Sequence, residues 1–282
     1  MMELDIFRTL WGYQGDWPTA ILELRANGFD GVEARLPATP DARSNVAQLL
    51  ASEQVPYIPI LFTAYDVLPD QSASPDVHLE DLRRKLGWAD PFEPRFINVL
   101  AGNDRWPLPQ QMDFFSRALE IARASGHLCS FETHRSRSLY SPWVTLEVAR
   151  QVPQLLFTTD ISHWVVVCER LLDQPADDLT DFVSRVHHIQ ARVGYDQGPQ
   201  VPHPAAPEYA AALRFHQDHW EDVWASQQAR GYQRTTLTPE FGPDGYLHHA
   251  PFSNEPVGDL WQINSWMAAT ERAHFAHFID SN

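Results

Sequence analysis

Eight times along the chain a short run of apolar and β-branched residues alternates with a longer amphipathic stretch. The runs are LDIFRTLWG (4–12), FDGVEARLP (29–37), VPYIPILFT (55–63), PRFINVLAGN (94–103), HLCSFETH (127–134), LLFTTDISHW (155–164), RVHHIQARVG (185–194) and YQRTTLTPEFG (232–242). Near-continuous apolar runs are how parallel strands read when both faces are buried. The stretches between them carry helix signals. Pro18 suits a first helical turn and Gly28 a C-terminal cap, while Met112, Phe115, Leu119 and Ala122 fall on one helical face before Gly126. Eight βα units within 282 residues predict an α/β chain folded as one closed (β/α)8 barrel domain over residues 1–282. The first strand lacks a G-x-G-x-x-G turn, so a dinucleotide site has no support.

In such a barrel the chemistry sits at the C-terminal ends of the strands, drawn from several of them. Those ends hold Glu33, the AGN of 101–103, Glu132 with His134, Asp160 with His163, the HIQAR run of 188–192, and Glu240. Three carboxylates that end apolar runs converge on one rim, where like charges repel unless a cation or a shared proton compensates. A divalent metal does this directly: oxygen ligands suit Mg or Mn, and mixed nitrogen and oxygen ligands admit Zn or Co.

Composition narrows the field. Cys129 and Cys168 lack a C-x-x-C spacing, so they read as small packing groups rather than thiolate ligands. A formal net charge of −16 argues against a nucleic-acid partner. No apolar stretch approaches the ~18 residues of a membrane helix, and MMELDIFRTLWG lacks the pattern of a signal peptide. The expectation is a cytoplasmic protein with no membrane partner.

The segments FETH, TTDISHW, HHIQARVGYDQGPQVPHP and LTPEFGPDGY resemble the strand ends of the xylose isomerase-like TIM barrel superfamily, which includes sugar phosphate isomerases/epimerases and the AP endonuclease family that contains endonuclease IV. The resemblance runs through most of the chain in element order, and its most specific part is the pair Asp160/His163 together with the two strand-end glutamates. It implies one divalent ion (Mn, Mg, Co or Zn) held by Glu132, Asp160, Glu240 and a histidine. Both glutamates would double as catalytic acid and base, with His163 on the substrate. The histidine is where this chain departs: relatives read H-x-H-A-R, and Gln190 stands where the ligand is expected. Three readings are open. Gln190 coordinates through its amide oxygen, which shifts preference towards Mg or Mn; or His188 serves, since 188, 190 and 192 share a strand face; or the site is weakened or lost.

The expected function is a metal-dependent isomerase or epimerase that removes a proton beside a sugar carbonyl and passes through an enediolate. Its partner would be a small sugar, phosphorylated or not. The resemblance also implies a homo-oligomer. Arg192 fits a substrate anion or a salt bridge to the rim; His134 and Arg135 fit substrate contact or support of Glu132; Trp11 offers a stacking face. His187 reads as structural, and Trp220 with Trp224 as helix packing. The rivals are a metal-dependent dehydratase or hydrolase, of which an endonuclease IV-like phosphodiesterase fits worst, and a sugar-binding barrel without turnover. A long loop at about 195–219 is expected, either over the mouth or as a rigid surface excursion or dimer contact, and a segment at about 243–265 is expected to cross the barrel end.

Overall fold

A computed structural model describes residues 2–281. Eight parallel strands run β1 (Glu3–Thr9), β2 (Gly31–Arg35), β3 (Tyr57–Phe62), β4 (Ile97–Leu100), β5 (Cys129–Glu132), β6 (Phe157–Thr159), β7 (Val186–Gln190) and β8 (Arg234–Thr238), and they close into a barrel in chain order. Closure is made by β1 on β8, in the register Glu3 to Arg234 and Ile6 to Leu237. Every one of the eight apolar runs supplies its strand.

Between the strands lie α1 (Trp17–Ala26), α2 (Pro40–Ser52), α3 (Pro75–Ala89), α4 (Leu108–Ser125), α5 (Pro142–Gln151), the short α6 (Ser162–Cys168) and α7 (Thr180–Val183), α8 (Ala210–Ala229) and the closing α9 (Leu260–Ser281). The first three start alike: the side chains of Asp16, Thr39 and Ser74 accept from the N–H three residues on, with a proline in the first turn. The buried face of α4 is Gln111, Phe114, Phe115, Ala118 and Ala122, rotated from the expected stripe so that Met112 and Leu119 are only partly covered. Phe114 takes the inner place because it packs on Trp106 and His78, while Phe115 meets Phe131 of β5.

The strands sort their side chains by period two. Ile6, Val32, Val99, Phe131, Phe157, Ile189 and Leu237 pack outwards against the helices in the main apolar core, which also holds Trp220 and Trp224. A separate small cluster of Phe7, Ile58 and Phe96 plugs the barrel interior. Gly31 makes room for it, since a Cβ there would lie 2.4 Å from the Phe7 ring. Above this plug the interior is polar. The alternate residues Ser130–Glu132–His134, Thr158–Asp160, His188–Gln190–Arg192 and Thr236–Thr238–Glu240 are all buried.

Two boundaries differ from expectation. The connection after β7 ends sooner, because the alanine-rich start of α8 takes residues 210–219 into helix. Its remainder is pinned to the β8 turn, where the Gln200 side chain both donates to Gly242 O (3.2 Å) and accepts from Gly242 N–H (2.9 Å). The segment after β8 runs as irregular chain with a bridge between His249 and Pro256 until α9 begins at Leu260.

On α8, His219 is buried and bonded to Thr159 Oγ1 at 2.8 Å, and burial pushes its pKa down to about 3. An unfolded histidine takes up its proton near pH 6.5. Because the folded pKa lies below this, the unfolded state binds more protons in the interval, and stability falls as pH drops from about 6.5 towards 3. Replacing His219→Gln is expected to remove about 1.4 kcal/mol per pH unit of that slope, as read by urea unfolding at stepped pH. An unchanged slope would contradict the assignment.

Candidate active site

At the C-terminal mouth, β5, β6 and β8 deliver Glu132, Asp160 and Glu240 so that one carboxylate oxygen of each lies within 4.8 Å of the others. Glu132 leaves β5 as its last residue, and Asp160 and Glu240 follow β6 and β8 by one and two residues. Asp160 and Glu132 are 0 and 2% exposed and Glu240 is 9%, which makes Glu240 the group nearest the entrance.

Gathered carboxylates out of water resist ionisation. Burial, then the charges of Glu240, Asp160 and Glu33, hold Glu132 well above the usual carboxylate range. Burial raises Glu240 to about 8, against the opposing pull of Arg192. Asp160 is also raised by burial, and here Arg192 and Ser162 oppose the shift. Arg192 is the internal counter-charge: its Nη2 donates to Asp160, sits 3.4 Å from Glu240 Oε2 and donates to His163 Nε2 at 2.8 Å, while its Nε donates to Ser162 Oγ. One guanidinium against three carboxylates leaves a deficit of positive charge.

Beneath the triad lies a layer that sequence reasoning left without roles. Glu33, on the inner face of β2, accepts from Gln190 Nε2 (2.8 Å) and Asn98 Nδ2 (3.2 Å), and Asn98 Nδ2 also donates to Glu132 Oε2 at 2.6 Å. Asn98 was detectable in principle, as a polar residue inside the buried run FINVL.

Gln190 and His188 differ in their surroundings. His188 lies one layer deeper, with Nδ1 bonded to Thr236 Oγ1 (2.8 Å) and Nε2 to Thr238 Oγ1 (3.2 Å) and Glu33 (3.4 Å). Both its nitrogens are engaged. Gln190 must turn its NH2 to the Glu33 carboxylate, since only a donor bonds there, and its Oε1 is left buried without a partner. An orphaned buried oxygen costs free energy unless something occupies it. Together with the Glu132, Asp160 and Glu240 carboxylates it would complete an all-oxygen donor set of the kind that suits one hard divalent cation.

His134 and His163 face each other with ring centroids 4.0 Å apart, and burial holds both well below the usual histidine range. They also lie with Glu132 in a second group of possible ligands, within 4.8 Å. His187 is structural: its Nδ1 meets the Tyr232 hydroxyl at 2.9 Å and its ring packs on Phe96.

The site opens into a cavity of about 1140 Å³ walled by residues 10–17 after β1, 65–68 after β3, 134–136 after β5 and 243–246 after β8. Residues 195–209 are not among the residues that wall it. Trp11 forms one side, with its indole N–H on Asp244 Oδ2 (2.7 Å) and its ring edge-on to Tyr246. Gly242 permits this, because a Cβ there would lie 2.0 Å from the Trp11 ring. No helix among the described residues is long and apolar enough to cross a membrane.

No protein-family model and no curated protein matches the chain by sequence. Solved structures do match by shape. A D-allulose 3-epimerase from Methylomonas sp. in complex with D-allulose superposes with a TM-score of 0.61 at 13% identity, covering 97% of this chain and 98% of that one. The probable 3-DHS dehydratase AsbF from Bacillus anthracis gives 0.57 at 15% identity, over 87% and 94%. Endonuclease IV from Thermus thermophilus gives 0.57 at 14%, over 98% and 99%. The chain thus shares its fold with the xylose isomerase-like TIM barrels.

Proposed function

We propose that this protein is a divalent-metal-dependent isomerase or epimerase that moves a proton at a carbon beside a sugar carbonyl. The observation that carries the reading is the placement of Glu132 and Glu240. They come from β5 and β8, three strands apart around an eight-stranded ring, and so approach the mouth from different sides. Inverting a carbon beside a carbonyl needs a base on one face and an acid on the other. Burial raises both carboxyl groups above the usual carboxylate range, Glu240 to about 8, which suits groups that must give and take protons.

Glu132, Asp160, Glu240 and Gln190 Oε1 would hold the ion, which would polarise the carbonyl and offset charge developing on its oxygen. One glutamate takes the proton and the other returns it. Asn98 fixes the Glu132 carboxylate through Oε2, Arg192 holds Asp160 and Glu240, and His163 orients a hydroxyl. Trp11 and Tyr246 offer apolar faces to the ring or chain of the sugar. A metal-dependent dehydratase shares the first step and differs in the second, where loss of a neighbouring hydroxyl replaces return of the proton.

The test is incubation of the Mn-loaded protein with ketoses in D2O. The proposal expects recovered sugar, inverted at one carbon or isomerised, with a single solvent-derived deuterium. A product that has lost water would favour the dehydratase. Absence of exchange with every ketose would contradict proton-transfer chemistry.

A further inference from the structure

The three basic residues of FETHRSR have three different fates. His134 turns into the site beside His163. Arg137 is fully buried, and it donates to the backbone carbonyls of Thr63 (2.7 Å), Val67 (3.0 Å) and Asp66, tying the turn after β5 to the loop after β3. Its own N–H donates to His134 O at 3.2 Å, which closes the turn. Between them Arg135 reaches the cavity wall, half-buried. Its guanidinium lies 5.1 Å from the Tyr246 ring centroid, and no carboxylate among the described residues pairs with it.

Its neighbours on the wall are all committed. Arg35 pairs with Asp66 at 2.8 Å, Asp244 accepts from Trp11, Asp16 caps α1 through the Thr19 N–H, and Arg192 serves Asp160 and Glu240. Of the charged groups around the entrance outside the carboxylate triad, Arg135 alone has no charged or hydrogen-bonding partner for its side chain among the described residues. In a chain of net charge −16 an arginine without a carboxylate at the mouth of a cavity is free to take an anion. Ser136 beside it also lines the cavity, held at φ 67, with no partner for its hydroxyl among the described residues. The Tyr246 ring is shared by Arg135 and Arg192, at 5.1 and 4.7 Å, so the free cation stands one aromatic ring away from the reacting groups. The Arg137 tether fixes the turn in advance, so little ordering is needed on binding.

We propose that Arg135 is a specificity-determining residue that binds an anionic group, phosphate or carboxylate, on the end of the substrate away from the reacting carbon. This rests on the sugar reading above and names its substrate class: an acidic sugar rather than a neutral one. Arg135 presents a planar fork of donors to such an oxyanion, with the Tyr246 ring 5.1 Å from its guanidinium.

The test is calorimetric binding of D-fructose, D-fructose 6-phosphate and D-fructuronate to the Mn-loaded protein, its Arg135→Gln variant and its Arg135→Lys variant. The wild type is expected to bind at least one anionic sugar about 10- to 100-fold more tightly than fructose. The stronger of the two tells phosphate from carboxylate. That preference should collapse in Arg135→Gln and return in part in Arg135→Lys. Equal affinity for the neutral and anionic sugars, or a preference that survives Arg135→Gln, would overturn the proposal. Binding is read apart from turnover: an Arg135-dependent preference without any proton exchange in D2O would sustain this inference and sink the isomerase reading alone.

Discussion

Replacing Glu132→Gln or Glu240→Gln lowers kcat by about 10²- to 10⁴-fold on any ketose the protein turns over, the usual worth of a positioned acid or base. The substitution keeps the shape, and Asn98 Nδ2 still finds an acceptor at position 132. What is lost is the group that takes or returns the proton. Stability moves the other way in the metal-free protein. A carboxyl group whose folded pKa is raised contributes stability that is present below its unfolded pKa and lost as pH rises through the folded one. Glu240 is raised to about 8 and Glu132 well above the usual range, so at pH 9 both are forced towards a charge that burial opposes. Each Gln variant should therefore melt higher than the wild type at pH 9, with the gap closing towards pH 4.5. Rate loss combined with gained stability is the signature of a strained functional pair, and rate loss with lower stability would point to a structural role. Retention of full turnover in both variants would refute the two-glutamate scheme.

Arg192→Met has the largest expected effect on folding. The guanidinium is 1% exposed and is the counter-charge of two buried carboxylates. Removing one partner of such a group leaves uncompensated charge and costs about 3–5 kcal/mol, a large part of the stability of a single domain. The loss should shrink at pH 4, where the carboxyl groups protonate, and with saturating Mn, which replaces the missing positive charge. Urea unfolding at pH 8 and pH 4, with and without Mn, reads all four conditions. A variant as stable as the wild type at pH 8 would mean that Arg192 is not what holds the carboxylates together.

Much of the barrel was legible because its strands are buried on both faces, so each reads as an apolar run ending in a polar residue. Of the helix starts only the one at Pro18 was read, although Pro40 and Pro75, preceded by Thr39 and Ser74, carry the same local signal as Pro18 after Asp16. The stretch 210–219 misled because it follows the proline-dense run GPQVPHPAAP, yet it forms the first half of α8. In the site, Glu132, Asp160 and Glu240 stood out as carboxylates at strand ends. Asn98 and Glu33 did not declare their roles, because which face of a strand a polar residue occupies depends on the register of its neighbours. The choice between Gln190 and His188 was likewise undecidable from spacing: both face inwards, and only depth separates an atom bonded to Thr236 from one left free. Arg135 and Arg137 look alike in sequence. Their different fates depend on a loop some 70 residues away, after β3.

The proposed function rests on a divalent ion held by Glu132, Asp160, Glu240 and Gln190. Its most direct test is calorimetric titration of chelator-stripped protein with Mn, alongside Glu240→Ala. One ion per chain is expected in the wild type, with thermal stabilisation on binding, and loss of both in the variant. No binding to the wild type, or undiminished binding to Glu240→Ala, would contradict it.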